Sequence, residues 1–236
     1  MDASQGDSIR DRLTHILKQI DHVAQRCGRK LGTVRLVAAT KTVPVERIRE
    51  AISAGLTIAG ENRLQEALPK IEALKGMAIR WHFIGQLQRR KVRSVVGVFE
   101  LIHSVDSLEL AQEIDRRAGS AGICQDILLE INIGGESTKA GFHSDALKRL
   151  LPEFGGFRHV RVKGLMTIPP LVSDAERARP YFRRVRELAE DLKKRGIPGI
   201  SMDELSMGMS GDYQIAIEEG ATIVRVGTAI FGERHD

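Results

Sequence analysis

Residues 35–42 read RLVAATKT. An apolar run of Leu, Val and Ala with no charge between Arg35 and Lys41 is the pattern of a strand buried on both faces, as in a parallel sheet. Such a strand delivers Lys41 at its carboxyl end. A lysine in that position ordinarily points into solvent, so its meaning depends on what the rest of the chain brings to the same end.

Working outward, residues 8–26 carry Ile9, Leu13, Ile16, Leu17, Ile20 and Val23 at helical spacing, with Ser8 as N-cap: an extra helix ahead of the first strand. Downstream, a unit repeats: a short apolar run, a turn, an amphipathic helix. Pro44 opens a helix over 45–54 that Gly55 closes. Further strands are expected over 56–59, 80–84, 101–105, 126–133, 160–166, 204–207 and 223–226. The intervening helices fall over 63–74, 89–96, 107–118 with Ser107 as cap, 143–154, 173–195 with a break at Pro180, and 212–219. No low-complexity linker or domain break interrupts the series, so residues 1–236 read as one α/β domain, a (β/α)8 TIM-type barrel. An open doubly wound sheet is the alternative; Thr42-Val43-Pro44 stands where its Gly-rich dinucleotide turn would follow strand one.

Composition narrows the function classes. Apolar residues at 42% and charged residues at 28% are ordinary globular usage. The chain starts without a basic stretch and apolar core of a signal peptide, and no segment has the apolar length of a membrane span, so a soluble cytoplasmic protein is expected. Cys27 and Cys124 form neither a metal clip nor a disulfide framework. A net charge of +5 and the clusters Arg89-Arg90-Lys91-Arg93 and Lys193-Lys194-Arg195 invite a nucleic-acid partner. Aromatics at 4% are too few for a base-stacking surface, and solvated helix faces account for the clusters.

In a barrel of this kind chemistry gathers at the carboxyl ends of the strands. The residues to watch are Lys41, Glu61, Asn62, His82, Gly85, His103, Asp106, Asn132, Lys139, Met166, Thr167, and those of 206–211 and 225–228. The loop SMGMSG after strand seven carries Ser210 before a helix, where backbone N–H groups near Gly211 face an anion. Strand eight ends RVGT, with Gly227 permitting close backbone approach and Thr228 adding a hydroxyl. Barrels of this type commonly hold phosphate between these two loops. Arg225 shares a face of strand eight with Ile223 and Gly227; if that face is the interior, its guanidinium needs a partner, either Glu61 or another carboxylate, or an acceptor on a ligand. His82 and His103 are candidates to line the mouth or to serve structurally.

A lysine, a phosphate cradle and an arginine at one mouth specify pyridoxal 5′-phosphate (PLP): an amine for its aldehyde, a seat for its phosphate, a donor for its ring nitrogen. Seven blocks, VAATKTVP, GENRLQE, WHFIGQLQRRK, INIGGESTKAGF, VKGLMTIPP, LSMGMSGD and VRVGTAIFGER, occur in this order and closely resemble the pyridoxal phosphate homeostasis protein family, single-domain relatives of the alanine racemase barrel. The resemblance implies a fold-type III PLP barrel with Lys41 as the Schiff-base lysine and Asn62 near the cofactor. It also implies Ser210, Gly227 and Thr228 at the phosphate and Arg225 at the pyridine nitrogen; Met166, closing strand six, joins this cofactor-binding set. Arg63 stands where many members have tyrosine and Val43 where some have a second lysine, so roles tied to those side chains do not transfer.

An always-charged arginine at the ring nitrogen leaves the pyridine unprotonated and the ring a poor electron sink. Racemases of this fold resemble the chain in that respect but add a tyrosine acid/base from a further domain. Tyr181 and Tyr213 are both expected on helices, and neither replaces it. The expected function is therefore to hold, buffer or deliver PLP in vitamin B6 and amino-acid homeostasis, as a non-enzymatic monomer. Other B6 vitamers and PLP-dependent acceptor enzymes are possible partners, and Lys139 is a candidate to receive the cofactor in transfer. A weak PLP-dependent amino-acid racemase using Lys41 as base, or a phosphate-sugar barrel enzyme without cofactor, are the rival readings. No metal site is expected.

Overall fold

The computed structural model describes residues 8–136, 138–170, 172 and 174–232. Its centre is a closed barrel of eight parallel strands in sequence order: β1 (Arg35–Ala39), β2 (Ile58–Glu61), β3 (Arg80–Phe83), β4 (Leu101–Val105), β5 (Gln125–Glu130), β6 (Val160–Met166), β7 (Ile200–Ser206) and β8 (Ile223–Val226). Pairing of β1 with β8, Val37 opposite Arg225, closes the ring and excludes the open-sheet alternative. Between them run α2 (Val45–Ser53), α3 (Leu64–Ala73), α4 (Leu108–Ser120), α5 (Ser144–Phe154), α6 (Arg179–Lys193) and α7 (Tyr213–Glu218).

The helix ahead of the barrel, α1 (Ile9–Arg26), starts as expected. Ser8 Oγ accepts the Asp11 N–H at 3.1 Å and the Asp11 carboxylate reaches back to Ser8, a capping box. Its apolar stripe packs beside α2, α7 and the short closing helix α8 (Thr228–Phe231), and Arg12 Nε donates to the Ile230 carbonyl at 2.7 Å. Ser107 caps α4 by accepting the Leu110 N–H.

Strand alternation produces two apolar layers. Leu36, Ala38, Ile102, Ile127 and Val224 face outward into the main core under the helices. Val37, Ile58, Leu101, Leu128, Met166 and Ile223 pack against each other inside the barrel. The interior is thus filled at its waist, and the site can only lie above that plug.

Several boundaries depart from the sequence expectation. β2 starts two residues late and includes Gly60 and Glu61, because a Cβ at Gly60 would sit 2.6 Å from Val37 Cγ1: the glycine is an interior strand position, not a turn. β5 ends at Glu130; the Ile131 N–H still donates to the Met166 carbonyl at 2.8 Å, and Ile131 also bridges Phe142. β7 begins at Ile200, four residues early, across a register shift against β6 where Met202 adopts φ 53°. The expected helix after β3 is a 3₁₀ turn, Arg89–Ser94. The long helix of 173–195 resolves into a 3₁₀ turn, Ala175–Ala178, and α6, with Pro180 in the first turn of α6; position 173 lies outside the described residues. Among the described residues no helix is long and apolar enough to cross a membrane.

Candidate functional site

Lys41 follows β1 by two residues and is half-buried. The chain turns there: the Val43 N–H donates to the Thr40 carbonyl at 3.0 Å, placing Lys41 second and Thr42 third in a four-residue turn. Thr42 has φ 63°, the geometry a type II turn demands of its third residue and one that a β-branched side chain resists. Behind the turn lies a buried polar triangle. Lys70 Nζ donates to the Thr40 carbonyl at 2.7 Å and to Glu61 Oε1 at 2.8 Å, while Thr40 Oγ1 donates to the same Glu61 oxygen at 2.7 Å. Thr40 and Glu61 are wholly buried and Lys70 nearly so. Glu61 is therefore the partner of Lys70, which removes it from the candidate partners of Arg225.

Arg225 does point inward, buried on the Ile223 face of β8. Its guanidinium donates from Nη1 to Ser206 Oγ at 2.6 Å and from Nη2 to the Thr167 carbonyl at 2.9 Å. Neutral acceptors at the ends of β6 and β7 thus hold it, with no carboxylate in direct contact among the described residues. Burial lowers its pKa to about 10, opposed by the charges of Glu130 and Asp212, and the group stays charged at neutral pH.

Ser206 continues the network downward. Its hydroxyl lies 2.9 Å from His103 Nδ1, and His103 Nε2 lies 2.9 Å from His82 Nδ1. Both histidines are fully buried inside the barrel, so they do not line the mouth; they buttress Arg225 from below. Burial above all, then Arg35 and Arg80, depresses His82 to about 3; burial, His82, Arg225 and Arg35 hold His103 well below the usual imidazole range. Both are neutral at physiological pH.

The loops after β7 and β8 come together: the Gly227 N–H donates to Ser210 Oγ at 3.3 Å, and Thr228 opens α8 directly after. Gly208 has φ 90° and a Cβ there would lie 2.5 Å from Ala216 Cβ, so only glycine carries the backbone across α7. The Asp212 carboxylate accepts the Met209 N–H at 2.6 Å, tying the loop ahead of α7. Ser210, Gly227 and Thr228, the residues expected beside an anion, thus meet at one place on the rim.

Asn62 is one residue beyond β2, beside Lys41 through the Ala39–Gly60 register, and its Oδ1 is buried with no hydrogen-bond partner among the described residues. Gly85 crosses it so closely that a Cβ would lie 2.3 Å from the Asn62 carbonyl oxygen. Met166, 1% exposed, closes the floor between Glu130 and Ser206 in register. Lys41, Asn62, Met166, Ser210, Arg225, Gly227 and Thr228 thus occupy one contiguous arc, β6 through β8 to β1 and β2. An orphaned amide oxygen, a cationic donor above the plug and a hydroxyl and N–H cluster at one rim fit an aromatic phosphate with a polar ring substituent.

Other sequence candidates have different duties. Asn132 staples its loop, donating to the Glu136 carbonyl at 2.7 Å and the Lys139 carbonyl at 3.2 Å. Lys139 pairs with Glu136 at 2.7 Å and donates to the Pro169 carbonyl, bridging the loops after β5 and β6. Arg63 is exposed beside Glu66, and Tyr213 is buried in α7. The sequence reading missed Glu130, the last residue of β5. Burial first, then the charge of Asp106, raises its pKa to about 7, against the pull of Arg225. A strand drawn on to residue 133 hid it as a mid-strand side chain.

Residues 12–235 match the family model of the alanine racemase N-terminal domain. The pyridoxal phosphate homeostasis protein of Aquifex aeolicus is 49% identical over 224 residues, 95% of this chain and 97% of that protein. The Escherichia coli protein of the same name is 36% identical over 231 residues, covering 97% of each. PipY of Synechococcus elongatus PCC7942, solved with PLP bound, is 37% identical with a TM-score of 0.85, over 95% of this chain and all (100%) of that one. Alanine racemase of Clostridium difficile shares the fold at 15% identity and a TM-score of 0.69, with 96% of this chain matched to 58% of that one. By sequence and by its closed fold-type III barrel, the chain belongs to the pyridoxal phosphate homeostasis protein family.

Proposed function

We propose that this chain binds pyridoxal 5′-phosphate at the arc from β6 to β2 and holds, buffers or delivers it in vitamin B6 and amino-acid homeostasis. The observation that carries the proposal is the buried Arg225, fixed by Ser206 and Thr167, between two tied loops and the turn that bears Lys41. The names of its relatives and the PLP-bound PipY support the same ligand.

When bound, PLP supplies an aldehyde that condenses with an amine as a Schiff base and a ring that withdraws electrons. Lys41 provides the amine. Ser210, Gly227 and Thr228 seat the phosphate, Asn62 offers its unpartnered amide oxygen to the ring edge, and Met166 supports the ring. Arg225 donates to the ring nitrogen without surrendering a proton, because a guanidinium lowered only to about 10 remains charged. That arrangement weakens carbanion chemistry and favours storage over turnover. The proposal extends to other B6 vitamers as ligands and PLP-dependent enzymes as recipients, with the protein a cytoplasmic monomer.

The experiment is the visible spectrum after loading with PLP, before and after borohydride, followed by peptide mapping. A yellow protein labelled at Lys41 is expected; a colourless protein, or label scattered over surface lysines, refutes the proposal. One observation favours a second reading, a weak racemase: Glu130 ends β5 in register with Met166, and with its carboxyl raised to about 7 it can carry a proton near neutral pH. Sustained Lys41- and Glu130-dependent exchange of the amino-acid Cα proton for deuterium would establish it.

A further inference from the structure

We propose that Glu66 and Lys70, one turn apart on α3, are positioning residues for Lys41: together with buried Glu61 they clamp the strained turn that presents it. The inference rests on the proposed role of Lys41 and adds to it the device that aims the lysine.

The turn has its own hydrogen bond, Val43 N–H to the Thr40 carbonyl, which is supplemented from outside. Its third residue, Thr42, is one of two non-glycine residues with positive φ among those described, and a threonine in that conformation persists only when its surroundings over-determine it. The surroundings come from β2 and α3. Glu66 Oε2 accepts the Thr42 N–H at 3.0 Å, fixing the strained peptide from above. Lys70 Nζ, on the same helix face by i,i+4 spacing, donates at 2.7 Å to the Thr40 carbonyl, the oxygen that also accepts the Val43 N–H. The two peptides that flank Lys41 are therefore both tied to α3.

Stability alone does not explain the triangle. A buried ion pair is at best neutral against a well-packed apolar pair, because its desolvation offsets its attraction. Here the pair is also incompletely satisfied, since Glu61 Oε2 has no hydrogen-bond partner among the described residues. What the pair supplies that an apolar pair cannot is a donor aimed at the Thr40 carbonyl, the atom that immediately precedes Lys41. The polar core under this lysine is built for direction.

Glu66 is partly exposed, with a side-chain exposure of 27%, so its replacement leaves the fold intact and makes the better probe. In the full chain, Glu66→Ala is expected to speed amide exchange at Thr42 and to weaken PLP affinity, each about tenfold, the scale of one hydrogen bond to a charged acceptor. Glu66→Gln keeps an acceptor oxygen and recovers most of that loss. Thr42→Gly in the Glu66→Ala background removes the conformational penalty, and recovery of PLP affinity there separates positioning from general stabilisation. Wild-type affinity in Glu66→Ala, or no recovery with Thr42→Gly, overturns the clamp. If wild-type protein fails to trap PLP on Lys41, the proposed function falls instead, while Thr42 exchange in the unloaded protein still decides whether the clamp exists.

Discussion

Replacing Glu130 with glutamine should remove one specific slope from the pH dependence of stability. In the folded barrel its carboxyl is raised from 4.5 to about 7 by burial and by Asp106. Between those values the folded state binds a proton that the unfolded chain has already released. Stability from this group is therefore full below about pH 4.5, falls as pH rises, and is lost above about 7. At 1.36 kcal/mol per pH unit the loss is about 3 kcal/mol at most. Over the same range His82 and His103, held neutral by burial, contribute the opposite slope, because the unfolded imidazoles take up protons as pH falls. The wild-type curve alone consequently hides the Glu130 contribution, and the difference between wild type and Glu130→Gln reveals it. Urea denaturation of both proteins at about pH 5 and about pH 8 measures that difference. The variant should gain about 2–3 kcal/mol on the wild type between the two conditions. A gain below about 0.5 kcal/mol would show that Glu130 is solvated in the folded protein, and its candidacy as a proton-moving group would go with it.

Other perturbations report on the supports of the site. Lys70→Met leaves Glu61 charged and buried, and should cost about 3–5 kcal/mol in urea denaturation; pairing it with Glu61→Leu should return most of that, whereas additive losses would deny the coupling. His103→Leu strips buried partners from both Ser206 and His82 and should cost about 2–4 kcal/mol in the same assay. Long-range 1H–15N spectra should show both imidazoles neutral down to about pH 5, and protonation at that pH would contradict the burial that holds His82 near 3. Gly164→Ala places a Cβ 1.8 Å from the Glu204 carbonyl oxygen, which only parting β6 from β7 can relieve. A loss of about 3 kcal/mol or more is expected, and wild-type stability would mean the strands approach less closely than described.

Patterns along the chain determined much of this protein. Period-2 and period-3.6 hydrophobicity, with Ser8, Ser107 and Pro44 as start signals, marked eight strands and the helices between them, and the closed barrel followed from their number and order. β4 and β8 were placed to the residue because β-branched and apolar residues run up to turn residues there. The arc of Lys41, Asn62, Ser210, Arg225, Gly227 and Thr228 was also legible, since parallel barrels put strand ends on one rim whatever the side chains do in detail.

Partnership was a matter for the tertiary structure. A buried charge needs a counterpart, but sequence offers many, and only the packed structure showed Arg225 held by Ser206 and Thr167 from β7 and β6 while Glu61 went to Lys70 on α3. Glu130 became visible as a strand end only when β5 stopped there and Ile131 bridged Phe142, and the histidines proved internal only when β3 and β4 took their register. Strand ends are set by which backbone groups find partners across the sheet, and that competition is between segments far apart in the chain. Residues 35–42 alone announce a buried strand ending in a lysine; that Thr42 is strained, and that α3 holds it so, exists only in three dimensions.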